Sequence, residues 1–261
     1  MFSPDQLIVA TGQSVGLQRD HNEDTILAIS AGLADGQGEK TFGVFILADG
    51  MGGHMHGEVA SSIAARTMAD YVIKKLYQPM LGVDPAPPEE SLQEIAIAGV
   101  TQAQNAVIRR APGGGTTLTA AIVVGDQLTL AHVGDSRAYL LFSDGRIQLL
   151  THDHSLVRRL QELGQLTVEE ASTHPQRNVL YRALGQAEPF KPDVQTLPIP
   201  EGGQIMLCSD GLWGVIPDDE MQRIINQAAD PATACKELVE AANIGGGPDN
   251  ISVILIRRLS S

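Results

Sequence analysis

Residues 42–54 read FGVFILADGMGGH, an apolar run of seven that ends without warning in a carboxylate set among glycines. The run has the length and bounds of a β-strand, and Asp49 is the residue it holds out at its end. A surface turn has that pattern, because Asp bonds its own backbone and Gly accepts positive φ. So does the rim of an active site. The rest of the chain has to decide.

Five further runs, LTAAIVV, QLTLAHV, RAYLLF, GQIMLC and ISVILI, are short and β-rich, and each is bounded by glycine, aspartate or proline. Helical periodicity appears in GEVASSIAARTMADYVIKKLY, in PEESLQEIAIAGVTQAQNAVIRR, and near 217–229 and 231–243. Strict β-α-β alternation is missing, which disfavours a doubly wound parallel sheet. Neighbouring strands such as QLTLAHV and RAYLLF suggest antiparallel pairing, with helices covering the sheets from outside. The class is a layered α+β fold. Two proline-rich stretches, 82–91 and 188–203, read as loops inside one domain spanning 1–261.

The pattern of the opening stretch repeats. Asp135 follows LTLAHVG within GDSR, Asp210 follows IMLCS within SDGLW, and Asp249 sits in GGPDN ahead of ISVILI. Glu23 and Asp24 end RDHNED ahead of TILAIS. Asp144-Gly145, between RAYLLF and RIQLL, reads by contrast as an ordinary hairpin turn. If the other carboxylates converge, burying them together without cations is very costly. An all-oxygen shell suits hard ions such as Mg²⁺ or Mn²⁺, and the seven histidines form no HExxH pattern that would favour zinc. Two such ions can activate a shared water and stabilise an in-line displacement.

Composition bounds the alternatives. With 43% hydrophobic residues the chain can build a sizeable core, and its net charge of -13 argues against nucleic-acid partners. Two cysteines without CxxC spacing fit a reduced, cytoplasmic setting. The opening MFSPDQLIVATGQS has no signal-peptide pattern, and no apolar segment approaches the ~20 residues that cross a bilayer. A cytoplasmic protein away from membranes, by default a monomer, is expected.

In order along the chain, RDHNED, LADGMGGH, GGGTT, VGDSR, LTHDHS, RNVLYRALG, CSDGLW and GGPDNISVIL resemble the metal-dependent protein phosphatases of type 2C (the PPM family), and most of all its bacterial serine/threonine members. The resemblance runs from about residue 10 to 257. It implies a four-layer α-β-β-α sandwich of two packed antiparallel sheets flanked by helices. It also implies hydrolysis of phosphoserine and phosphothreonine by direct attack of a metal-bridging hydroxide.

Carried over residue by residue, Asp49 would bridge two Mn²⁺ or Mg²⁺ ions and Gly50 would lend its carbonyl. Asp210 and Asp249 would hold one ion, and Asp24 or Glu23 the other, directly or through water. A third ion would sit at Asp135, making two or three per chain. Arg19 matches the phosphate-binding arginine. Phosphorylated proteins would be the partners, in opposition to a serine/threonine kinase.

Departures from the family pattern are few. Met51 stands where eukaryotic relatives carry a histidine proposed as general acid, so leaving-group protonation would come from metal-bound water or from another residue, His54 being the nearest candidate unless it is simply part of a helix-leading loop. Gly214, Tyr181 and Ser252 replace residues outside the ligand set. Gly113–Thr117 reads as close-packed backbone beside the carboxylates, or else as a phosphate-cradling loop. The segment 151–185 resembles a flap subdomain, with Arg158, Arg159, Glu162, Glu169, Glu170 and Arg177 facing solvent.

Overall fold

The computed structural model describes residues 6–35, 38–52, 55–186 and 190–259. In chain order its strands are β1 (Gln6–Ser14), β2 (Thr25–Asp35), β3 (Gly38–Ala48), β4 (Gly50–Met51), β5 (Gly115–Thr116) and β6 (Leu118–Val124). Then come β7 (Gln127–Val133), β8 (Arg137–Leu141), β9 (Ile147–Leu149), β10 (Asp193–Pro198), β11 (Gln204–Cys208) and β12 (Ile251–Leu259). Helix α1 (Met55–Val72) passes through a π-helical turn at Ile73–Tyr77 into α2 (Gln78–Leu81). The others are α3 (Leu92–Arg110), α4 (Leu156–Glu162), α5 (Val168–Ser172), α6 (Asp210–Trp213), α7 (Asp218–Gln227) and α8 (Pro231–Ile244).

Two five-stranded sheets, ordered β1-β12-β11-β8-β9 and β10-β7-β6-β3-β2, carry the fold, and every pairing in them is antiparallel. The period-two geometry of β3 shows how they are layered. Phe42, Val44 and Ile46 pack under α1 and α3, while Phe45 and Leu47 face the other sheet. In β12 the same division puts Val253 and Leu255 under α7 and α8, and Ile254 and Ile256 between the sheets. Three apolar layers therefore separate four structural ones, helix, sheet, sheet and helix. Each fully buried aliphatic side chain in these layers contributes about 1.5–3 kcal/mol.

Local signals fix the helix starts. Ser91 accepts from the Glu94 N–H while the Glu94 carboxylate accepts from the Ser91 N–H at 2.8 Å, a capping box that starts α3 at Leu92. Asp230 caps α8 with Pro231 at its first position. Gly145 adopts φ +89° between β8 and β9, where Asp144 accepts from the Arg146 N–H, the hairpin expected there.

Besides the two-residue strands β4 and β5, two strands fall outside the expected runs: β10 lies inside the proline-rich stretch 188–203, where a loop is expected, and β1 precedes the first of those runs. Both are edge strands that alternate half-buried with exposed positions, so neither carries a long apolar pattern. Pro198 is tolerated in β10 because an edge strand can spare an N–H. The segment 151–185 contributes α4, α5 and two isolated bridges, Ser155 to Leu180 within it and Leu184 to Thr116, but no strand of either sheet, and the six charged residues expected to face solvent are exposed. Among the described residues, no helix is long and apolar enough to cross a membrane.

Candidate metal and phosphate centre

Strand register brings the acidic corners to one end of the sandwich. Thr25 pairs with Ala48, Leu47 with Thr119 and Leu118 with Val133, so the start of β2, the end of β3, the start of β6 and the end of β7 are neighbours. In the other sheet Cys208 pairs with both Arg137 and Val253, and Ser14 with Ile251. Asp24, Asp49, Asp135, Asp210 and Asp249 each occupy one of these strand ends, and the β7–β8 connection carries Asp135 from one sheet to the other.

The backbone around Asp49 is fully engaged. Its N–H donates to Thr117 Oγ1, and its carbonyl accepts from the Thr117 N–H and from Thr116 Oγ1, all at 2.9 Å. Thr117 is braced in turn against Ser136 at 2.8 Å. The carboxylate alone is left to face the site. Within Gly113–Thr117 the close packing is at Gly114, where a Cβ would lie 2.4 Å from the His56 carbonyl oxygen, whereas one at Gly113 would meet nothing within 4 Å. At Gly50 a Cβ would lie 2.4 Å from the Gly57 carbonyl oxygen and 2.6 Å from that of Glu23. Only glycine permits that approach of three backbones.

Mutual repulsion registers the convergence. Burial, with the charges of Asp24, Asp210, Asp135 and Asp249, holds the Asp49 carboxyl well above the ordinary range. Burial and repulsion from Asp210 and Asp249 push Asp24 up to about 7. Burial and Asp249 bring Asp210 to about 6. Asp135 is raised by burial and by Asp210. Both carboxylate oxygens of Asp24 and one of Asp210 are buried without a hydrogen-bond partner. A buried carboxylate in that state is costly, and hard divalent cations with oxygen preference fit the donor set.

The remaining candidates stand around this cluster. Arg19 Nη2 donates to Asp249 Oδ2 at 2.6 Å from the exposed rim, and that hydrogen bond raises its pKa further. The Glu23 carboxylate pairs with His21 Nε2 at 3.2 Å, whereas neither Asp24 oxygen has such a partner. Gly50 follows Asp49 directly in β4. His54 lies outside the described residues.

Three residues that position the cluster were not singled out from the sequence, although each lies inside a motif that was. The Asn250 amide donates to the Val15 and His21 carbonyls at 2.8 and 2.9 Å, and its Oδ1 accepts from the Glu23 N–H at 2.8 Å. One side chain thereby fixes the loop that bears Arg19, Glu23 and Asp24. Thr117 braces Asp49. Trp213 donates its indole N–H to the Asp135 carbonyl at 3.0 Å, with the Arg137 guanidinium 3.6 Å from its ring centre and clamped by Asp153.

Residues 9–251 match the family model for protein phosphatase 2C, and the chain belongs to that family. It is 36% identical over 245 residues to the serine/threonine phosphatase stp of Listeria innocua, covering 93% of this chain and 92% of the relative. Its fold superposes on the crystal structure of the Mycobacterium tuberculosis serine/threonine phosphatase PstP with a TM-score of 0.79 at 34% identity, over 96% of this chain and 98% of that one. A structure of the PstP catalytic domain in complex with two manganese ions gives a TM-score of 0.78 at 32% identity, over 97% and 99% of the two chains.

Proposed function

We propose that the chain is a manganese- or magnesium-dependent protein serine/threonine phosphatase. The convergence of four carboxylates on Asp49, with the Asp24 oxygens unpartnered, carries the reading. The relatives named serine/threonine phosphatases and the two manganese ions in the PstP structure support it.

Asp49, the Gly50 carbonyl, Asp210 and Asp249, with Asp24 directly or Glu23 through water, would hold two ions, and Asp135 a third. When bound, the ions supply Lewis-acid polarisation of the phosphoryl group and lower the pKa of a water. Arg19 has the planar fork that grips two phosphate oxygens, and its position on Asp249 places it at the mouth. It holds the phosphoryl group while water attacks phosphorus in line. The bond to the serine or threonine oxygen breaks, and inorganic phosphate and the free hydroxyl leave. The cluster works as a single catalytic domain with 151–185 as its flap, a monomer that reverses a serine/threonine kinase.

The test is hydrolysis of a phosphothreonine peptide with EDTA, Mg²⁺ or Mn²⁺. Turnover that requires the ion, and that is much slower on the matching phosphotyrosine peptide, is expected. No turnover with either ion from a folded chain would overturn the enzyme reading in favour of a binding module.

A further inference from the structure

Beside the acidic mouth, under the segment 151–185, lies a second polar cluster of His132, His152, His154, Arg182 and Asp193. His152, His154, Arg182 and Asp193 line a cleft of about 590 Å³ together with Glu162, and the His132 ring lies 5.0 Å from that of His154. Ligand atoms of His152, His154 and Asp193 lie within 4.8 Å of one another, close enough to suggest a transition-metal site. The hydrogen bonds argue otherwise.

The Gly134 N–H donates to His154 Nδ1 at 3.0 Å. A backbone amide can only donate, so Nδ1 must carry a lone pair, and in the neutral ring the proton sits on Nε2. That proton points at Asp193 Oδ2, 3.0 Å away. Ligation through Nε2 would need the opposite tautomer. The Arg182 guanidinium donates to Asp193 Oδ1 at 2.9 Å and already supplies a cation there; it also lies 3.0 Å from His154 Nε2, a contact that is not a hydrogen bond while Nε2 carries the proton.

The locked ring makes His154 a junction. Its own N–H donates to the Gly134 carbonyl at 2.8 Å, so His154 grips Gly134 on both sides of the residue. Gly134 sits at φ +109°, a conformation that a side chain would strain, and the next residue is Asp135. The His154 carbonyl accepts from the Tyr181 N–H at 2.9 Å, which ties in the far end of the 151–185 segment. The ring is also almost fully buried, so burial favours the neutral form that the lock requires.

We infer that His154 is a positioning residue: through Gly134 it fixes the direction of Asp135, and so sets how tightly Asp135 holds its ion. This rests on the proposed reading of Asp135 as an ion ligand. Second-layer contacts of this kind tune metal affinity without touching the metal.

The two ring nitrogens can be tested separately. His154→Asn places an oxygen near the Nδ1 position, able to accept from Gly134. His154→Gln reaches the Nε2 position instead and leaves the Gly134 N–H without its partner. The experiment titrates the full chain with MnCl₂ alone by calorimetry, beside Asp135→Asn, and follows hydrogen exchange at the Gly134 amide.

Slow exchange is expected in the native chain and in His154→Asn, and faster exchange in His154→Gln. The Gln variant should weaken by about tenfold or more the same Mn²⁺ step that Asp135→Asn removes, with the Asn variant within about threefold of native. Asn and Gln variants that behave alike, in exchange or in Mn²⁺ binding, overturn the positioning role. A titration unchanged by Asp135→Asn overturns instead the ion reading of Asp135, and with it the role given to His154.

Discussion

Arg19 and Asp249 meet at 2.6 Å across 230 positions of sequence, the arginine half-exposed and the aspartate one of the converging carboxylates. In the proposed reading the pair joins the group that would grip phosphate to one that would hold an ion, so an arriving phosphoryl group would meet a guanidinium already held against the cluster.

Arg19→Ala should raise KM for a phosphothreonine peptide and lower kcat/KM. A charge-assisted hydrogen bond contributes about 1.5–3 kcal/mol, so a loss of roughly tenfold to a hundredfold is expected. Arg19→Lys should restore only part of it, because an ammonium lacks the planar fork. Steady-state kinetics check both, and a full rescue by lysine would reduce Arg19 to a point charge.

Asn250→Ala should loosen the loop that carries Arg19, Glu23 and Asp24. It removes three hydrogen bonds, one buried and two part-buried, and leaves the Glu23 N–H unpaired. A destabilisation of about 2–4 kcal/mol follows from orphaned buried groups, measurable by urea unfolding. A change under about 0.5 kcal/mol, the range of ordinary surface substitutions, would show that the clasp is redundant.

Stability without ions should fall as pH rises. The folded chain holds Asp24 with its pKa raised from 3.8 to about 7 and Asp210 raised to about 6. Between pH 4 and 7 the native state thus keeps protons that the unfolded chain has released. That contribution is complete below the ordinary aspartate range and is lost as pH climbs through the folded values. In EDTA, Tm at pH 7.5 should lie below Tm at pH 5. A net loss of ~2 kcal/mol corresponds to about 4–8 °C for a chain of this size. Added Mn²⁺ should flatten the difference, and a Tm that rises with pH in EDTA would contradict the clustering.

The layered frame and the acidic strand ends of the candidate site were both legible in the sequence, but not every strand was. The apolar run 42–48 ending at Asp49 could be read directly, since a strand buried on both faces shows a continuous apolar stretch. So could Asp135, Asp210 and Asp249, each at the end of such a run. β1 and β10 could not, because an edge strand with one wet face needs few apolar residues. The roles of Asn250 and Trp213 also escaped notice. Their partners are the backbone carbonyls of Val15, His21 and Asp135, and a carbonyl leaves no mark in the sequence.

The convergence of carboxylates on Asp49 is tested most directly by Asp49→Asn, assayed for phosphothreonine-peptide hydrolysis in Mn²⁺ and for thermal stability in EDTA. At a pH where the ion-free cluster is ionised, removing one of its charges should raise Tm. Loss of several kcal/mol of transition-state stabilisation should lower kcat/KM by about a thousandfold or more. A variant that keeps activity within tenfold of native, or that melts lower without ions, would contradict the account.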